Sequence, residues 1–125
     1  MKLDVTDMRK LMKLGYKKNI YYCGNYSFQK YWTKIRDKLE KDLGVKFPYN
    51  PACFIHDLEY SEHPTLIQKL KIDWRFYNNM IILLDLSTDE KVKYYYKMLK
   101  VRARIFYFLV TVMTPIYIKQ GKIKK

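Results

Sequence analysis

The chain has 125 residues, of which 49% are hydrophobic and 17% aromatic, so it is large and apolar enough to form one domain with a buried core. This composition excludes intrinsic disorder, and two cysteines with two histidines exclude zinc fingers and histidine-rich metal phosphohydrolases. The formal net charge of +13 predicts attraction to polyanions, meaning phosphate backbones or an anionic membrane face. We therefore expect one domain over residues 1–125.

The N-terminal segment is predicted to form a first helix over about residues 5–14 and not a signal peptide. The charged residues Asp4, Asp7 and Arg9 interrupt the apolar core that a signal peptide requires. The longest uncharged run, Ile105–Ile118, is too short for a spanning helix and contains Pro115. We expect no transmembrane span.

The middle of the chain contains two further predicted helices. Gly15–Tyr26 has the pattern of a loop or a short extended segment, and a helix is expected from a capping residue at Ser27 to about residue 43. Asn50-Pro51 then has the pattern of an N-cap followed by proline at the first helical position, so the next helix begins here. It is expected to end at His63-Pro64, because the residue before a proline disfavours helical geometry.

The C-terminal half is predicted to be helical as well. One helix is expected from about Thr65 to Asp85, and the run Ser87–Glu90 has the form of a capping box that opens a long terminal helix to about Thr114. We expect the aromatic stripe of this terminal helix to be core, while its flanking basic residues leave docking on anionic lipid open. No segment alternates like a strand, so the sequence predicts a mostly α-helical domain.

The two helices joined at Pro64 are expected to pack as an antiparallel hairpin. His56 lies eight residues before this proline and Asp73 lies nine after it, so both stand at nearly the same height above the turn. Asp73 also begins an apolar stripe with Phe76 and Met80, and a carboxylate in such a place needs a partner. The spacing predicts a contact between the imidazole of His56 and the carboxylate of Asp73.

The same residues belong to a longer pattern. Tyr22-Cys23-Gly24 is followed by Cys53-Phe54-Ile55-His56-Asp57-Leu58-Glu59-Tyr60 and then by Asp73 on an aromatic-rich helix. This pattern resembles the secreted phospholipase A2 superfamily, whose Tyr-Cys-Gly calcium loop precedes a helix reading Cys-x-x-His-Asp-x-x-Tyr. The short interval to Asp73 is most similar to the compact viral and phage-associated relatives. The resemblance covers about residues 21–80 and implies a small phospholipase A2-like helical domain with an antiparallel catalytic hairpin.

The resemblance implies an esterase that hydrolyses glycerophospholipids. His56 is then the general base that takes a proton from water, and Asp73 orients it and stabilises the imidazolium. Tyr60, one turn beyond His56, is implied to hydrogen-bond within the Asp73 network. These three residues make up the expected catalytic group.

The resemblance also implies a Ca²⁺ site and a disulfide. The carboxylate of Asp57 is expected to bind the ion together with three main-chain carbonyls, those of Tyr22, Gly24 and Tyr26. The ion would polarise the ester carbonyl and neutralise the developing oxyanion. The implied disulfide joins Cys23 to Cys53, whereas composition alone leaves their oxidation state open.

A second interpretation stays open, in which the fold is catalytically silent and its basic surface binds nucleic acid, an anionic membrane or a virion partner. The chain departs from the family at Tyr26, where the family has a glycine, and at Ala52, where it has a second cysteine. For the enzyme we expect a phospholipid membrane surface, preferably anionic, as partner, with nucleic acid as second choice. A secreted or virion-associated setting is favoured over a cytoplasmic one.

Overall fold

The structure is a computed structural model that describes residues 4–18, 20, 22, 29–119 and 121, with the backbone alone described for 29–33. Within these residues the chain forms seven helices and no strand, which confirms the predicted mostly α-helical class. The helices are α1 (Met8–Lys13), α2 (Gln29–Leu43), α3 (Asn50–Ser61), α4 (Leu66–Leu86), α5 (Glu90–Tyr94), α6 (Tyr96–Val112) and α7 (Thr114–Lys119).

Helix α4 packs against both α3 and α6. Its first turns meet the end of α6, where Lys69 donates to the carbonyl of Val110, and its last turn meets the start of α6, where Tyr96 donates to Asp85. The two helices are therefore antiparallel. Helix α3 also runs antiparallel to α4, because a short turn joins them and His56 contacts Asp73 across the pair.

The turn between α3 and α4 is set by local sequence. His63 adopts a positive φ of 52° immediately before Pro64, and both residues lie outside the helices as predicted. Thr65 then caps α4, because its side chain accepts the N–H of Gln68 while the Gln68 side chain accepts the N–H of Thr65. This is the reciprocal capping box that fixes where α4 begins.

The prediction of one long terminal helix was wrong. Asp89, and not Ser87, caps α5, since the Asp89 side chain accepts the N–H of Lys91 at 2.8 Å. The backbone departs from helical geometry at Tyr95, with φ −96° and ψ 20°, and α6 begins at the next residue. A further break follows Val112, and Pro115 lies in the first turn of α7, where a missing N–H costs nothing.

The larger of the two hydrophobic clusters found among the described residues joins most of the helices. It contains fully buried residues from five helices, Leu11 of α1, Leu39 of α2, Ile55 of α3, Met80 of α4 and Phe106 of α6. The connector before α3 adds Phe47 and Tyr49, whose rings meet that of Phe106 edge to face at 5.9 and 5.7 Å. Among the described helices, none combines the length and the hydrophobicity needed to cross a bilayer.

Candidate functional site

Asp73 is the centre of a buried polar network between α3, α4 and α6. Its side chain is fully buried, and its Oδ1 accepts hydrogen bonds from His56 Nε2 at 2.8 Å and from the Tyr60 hydroxyl at 2.6 Å. Its Oδ2 accepts from the ammonium of Lys69. The predicted contact between His56 and Asp73 is confirmed, and Tyr60 lies in the same network.

The His56 ring packs against two aromatic rings. His56 is 7% exposed, and its ring lies 4.4 Å from that of Phe76 at an interplanar angle of 30° and 4.2 Å from that of Tyr60. Stacking fixes the plane of the imidazole, and the bond from Nε2 to Asp73 fixes its rotation within that plane. Because the Asp73 carboxylate only accepts hydrogen bonds, Nε2 is the ring nitrogen that donates to it, and Nδ1 is the second ring nitrogen.

Lys69 is the residue of this network that the sequence analysis missed. It is fully buried one turn before Asp73, and its ammonium donates to the Asp73 carboxylate and, at 2.9 Å, to the carbonyl of Val110. The rings of Tyr60 and Tyr117 lie 5.8 and 5.6 Å from it, within the range of cation–π attraction. The i, i+4 spacing of Lys69 and Asp73 on one apolar stripe was the available signal.

The charges of the network follow from these contacts. Burial alone raises the pKa of the Asp73 carboxyl, but the hydrogen bonds from His56 and Lys69 and the electrostatic attraction to these two side chains outweigh it and hold that pKa below its ordinary value. Burial lowers the pKa of the Lys69 amine, and the Asp73 carboxylate opposes this change. Burial and the nearby Asp73 charge raise the pKa of Tyr60, so its hydroxyl remains a neutral donor.

The loop segment at Ile20 and Tyr22 is tied to the start of α3 by Asn50. Its side-chain oxygen accepts the N–H of Tyr22 at 2.8 Å, and its amide donates to the carbonyl of Ile20 at 2.6 Å. The Tyr22 ring packs against Phe54 of α3, with 4.8 Å between ring centroids. The prediction of Asn50 as the N-cap of α3 was therefore wrong, because its side chain satisfies the loop and makes no cap bond.

The predicted calcium ligands lie only in part within the described residues. Asp57 is half-buried on α3, and Tyr22 is held at the first turn of that helix. Gly24 and Tyr26 lie outside the described residues. Across the described ranges, no cluster of three or more histidine, cysteine, aspartate or glutamate side chains is arranged to hold a metal. The calcium site thus stays a prediction.

Cys53 is disulfide-bonded and lies buried on α3, three residues before His56. The implied partner, Cys23, lies outside the described residues, so the pairing itself stays a prediction.

Comparison of the chain with protein-family models, curated proteins and solved structures finds no match. The resemblance to phospholipase A2 therefore stays a prediction carried by the residues of this chain.

Proposed function

We propose that the protein is a Ca²⁺-dependent phospholipase A2-like esterase that hydrolyses glycerophospholipids. The observation that supports this proposal is the hydrogen bond of 2.8 Å between His56 Nε2 and the buried carboxylate of Asp73. An imidazole oriented by a carboxylate, with its second nitrogen unprotonated, is the arrangement that a general base requires. Tyr60 strengthens the assignment, because its hydroxyl fixes the same carboxylate oxygen.

In the proposed reaction, Nδ1 of His56 takes a proton from a water molecule as the water oxygen attacks the ester carbonyl carbon. Asp73 stabilises the imidazolium and prevents the ring from rotating. The tetrahedral intermediate collapses when the ester C–O bond breaks, and His56 returns the proton to the departing lysophospholipid oxygen. Fatty acid and lysophospholipid are the products, and the enzyme regains its initial protonation state.

Ca²⁺ would supply electrophilic polarisation of the ester carbonyl. The expected ligands, the carboxylate of Asp57 and the carbonyls of Tyr22, Gly24 and Tyr26, are all oxygens, as a hard cation prefers. Helical spacing supports this grouping, because Asn50, Cys53 and Asp57 occupy one face of α3. On that face the Asn50 side chain accepts the N–H of Tyr22, which is one of the proposed ligands.

The proposed setting is secreted or virion-associated, and the proposed partner is an anionic phospholipid surface. The disulfide-bonded state of Cys53 supports an oxidising environment, where disulfides persist. The net charge of +13 supports attraction to anionic headgroups.

Lys69 favours a second candidate function, a catalytically silent phospholipase A2-like binding protein. Its ammonium already neutralises Asp73, so protonation of His56 would leave the buried cluster with a net positive charge. Removing water from an unbalanced charge is costly. On this view the network serves only to hold three helices together, and the basic surface binds membrane, nucleic acid or a virion partner.

The deciding experiment measures fatty-acid release from anionic phospholipid vesicles with millimolar Ca²⁺. The wild-type protein is compared with the same protein in chelator and with His56→Ala. We expect both changes to reduce release by at least about a hundredfold, because each removes a component on which the chemical step depends.

His63→Ala is the matched control, because His63 is the other histidine and lies exposed in the turn before α4. We expect this variant to retain the wild-type rate. No release from folded wild-type protein would reject the esterase and favour the silent binding protein. Release that survives chelator but not His56→Ala would keep the base and reject the calcium site.

A further inference from the structure

Helix α6 has two apolar faces, and only one of them is part of the core. The inner face is buried against the other helices and consists of Leu99, Ala103, Phe106 and Val110. The outer stripe consists of Met98, Val101, Ile105, Phe108 and Val112. Its members follow one another at steps of three and four residues, so they form a continuous line roughly 20 Å long on one side of the helix.

The outer stripe is exposed along its whole length. Phe108 is 64% exposed and Val112 is 55% exposed, and the other three members are also close to half exposed or more. The expectation that the terminal aromatic residues are core is therefore correct for Phe106 and wrong for Phe108. A contiguous apolar line of this length on a surface marks a contact with something else.

The charges around the stripe restrict what that contact is. Helix α6 carries Lys97, Lys100, Arg102 and Arg104 and has no acidic residue. Lys97 and Arg104 are seven residues apart and exposed, so they line one flank of the outer stripe, while Arg102 lies towards the other flank. The Arg104 side chain is directed towards α4, where its Nε donates to the Tyr77 hydroxyl at 3.3 Å.

These charges argue against two of the occupants that an apolar helix face attracts. A second copy of α6 on the stripe would bring cations against cations with no anion between them, which opposes association. A nucleic acid would meet the basic flanks and could stack on Phe108, but the four aliphatic members of the stripe offer it no partner, because phosphates and bases require polar groups or flat rings. An anionic bilayer matches both the basic flanks and the apolar stripe. Its headgroups meet the lysines and arginines, while its acyl chains contact the apolar side chains.

We propose that the outer stripe of α6, with Lys97 and Arg104 on its flank, is the surface by which the protein docks on anionic lipid bilayers. The helix lies in the plane of the interface, with Phe108 and its neighbours inserted below the headgroups. This inference rests on the proposed function for the chemical class of the partner. Docking itself requires neither His56 nor calcium, so the two proposals fail in different ways.

The test measures binding of the protein to sedimenting vesicles in chelator, so that no proposed turnover occurs. One vesicle is made of equimolar phosphatidylcholine and phosphatidylglycerol, and the other is pure phosphatidylcholine. We expect binding to the anionic vesicle and at least about tenfold weaker binding for Phe108→Ser/Val112→Ser, which removes two inserted side chains. Lys97→Gln and Arg104→Gln should each weaken binding roughly fivefold.

Ile67→Ser/Leu70→Ser on α4 is the matched control, because it also removes two exposed apolar side chains from a helix surface. It should bind vesicles like the wild type. Circular dichroism verifies that both double variants remain folded. Hydrolysis of a short-chain phospholipid kept monomeric in solution, measured with Ca²⁺, tests the site chemistry without docking and should be equal in both double variants.

Three results would overturn the inference. The first is equal loss of vesicle binding in the two double variants, which would make the effect one of general hydrophobicity. The second is no binding of the wild type to anionic vesicles, even if the monomeric lipid is hydrolysed. The third is a wild-type dimer that Phe108→Ser/Val112→Ser converts to a monomer, which would assign the stripe to a second copy. Wild-type docking without hydrolysis of the monomeric lipid would retain the inference and reject the esterase.

Discussion

The inner and the outer face of helix α4 each contain side chains of a kind that is usually found on the opposite face. The inner face contains Lys69 and Asp73, a pair of opposite charges that is fully buried. The outer face contains Ile67, 69% exposed, and Trp74, 53% exposed, with Leu70 between them. Charged residues are almost never fully buried unless they are paired, whereas exposed apolar residues are common singly and informative in groups.

The two faces of α4 are subject to different physical constraints. On the inner face every polar group has a defined partner, because a buried charge without one would destabilise the fold by several kcal/mol, on the order of 3–5. On the outer face no such penalty operates, and side chains there change stability little. Substitutions on the inner face should therefore alter folding, while substitutions on the outer face should alter only what the surface contacts.

The largest effect is expected for Asp73→Ala. This change removes the anionic partner of the buried Lys69 ammonium and leaves the Val110 carbonyl as its hydrogen-bond acceptor among the described residues, so the free energy of unfolding should fall by about 3–5 kcal/mol. Denaturant unfolding followed by circular dichroism measures it. Asp37→Ala is the control, because the Asp37 side chain is 63% exposed in its ion pair with Arg36. A loss below about 1 kcal/mol at Asp73 would contradict the buried ion pair.

The next effect is the coupling between Lys69 and Asp73. Lys69→Met alone leaves the buried Asp73 carboxylate without its ammonium partner. Lys69→Met combined with Asp73→Leu replaces the pair with apolar side chains of similar size. We expect the loss of unfolding free energy in the double variant to be about 2–3 kcal/mol smaller than the sum of the losses in the two single variants. Additive losses would mean that the two side chains act independently. Whether or not the losses are additive, the double variant should lose esterase activity, because Asp73 orients the proposed base.

A smaller effect is expected in acid. The folded-state pKa of Asp73 is lowered, so its contribution to stability is complete above the ordinary carboxyl pKa of about 3.9 and is lost as the pH falls from there towards the lowered value. Unfolding free energies measured from neutral to acid pH should fall less steeply for Asp73→Asn than for the wild type below about pH 4. Asp37→Asn should keep the wild-type pH dependence of the unfolding free energy. If Asp37→Asn has the same shallow pH dependence as Asp73→Asn, the acid sensitivity does not come from Asp73 in particular.

The smallest effect is expected on the outer face of α4. Ile67→Ser should change the free energy of unfolding by no more than about 0.5 kcal/mol, because the side chain is already in water. Phe76→Ala on the inner face should cost about 3–5 kcal/mol in the same assay, since it leaves a cavity beside His56. A large loss at Ile67 would show that this face is covered in the native protein.

The part of the site that could be predicted lies within one pair of neighbouring helices. The contact between His56 and Asp73 follows from helical rise and from the position of Pro64, because both residues are counted from the same turn. The place of Tyr60 in the network was implied by the resemblance to phospholipase A2, and its hydroxyl donates to the same carboxylate. Local spacing therefore determined that His56 meets Asp73.

Lys69 could not be assigned from spacing alone. Its second partner is the carbonyl of Val110, forty-one positions along the chain, and its surroundings include Tyr117 of α7. Whether a lysine on an apolar stripe is buried or extends to solvent depends on which helix covers it. The role of Asn50 was misassigned for a related reason, because its side chain bonds a loop that lies some thirty positions earlier.

The helical class, the turn at Pro64 and the contact of His56 with Asp73 follow from the order of the amino acids, since each depends on backbone preferences or on spacing along neighbouring turns. The packing of the helices against one another selected which apolar line of α6 became core and which became surface. Both lines have helical periodicity, so the choice was made by where α4 packs against α6. A helix with two apolar faces can bury only the one that its neighbours cover.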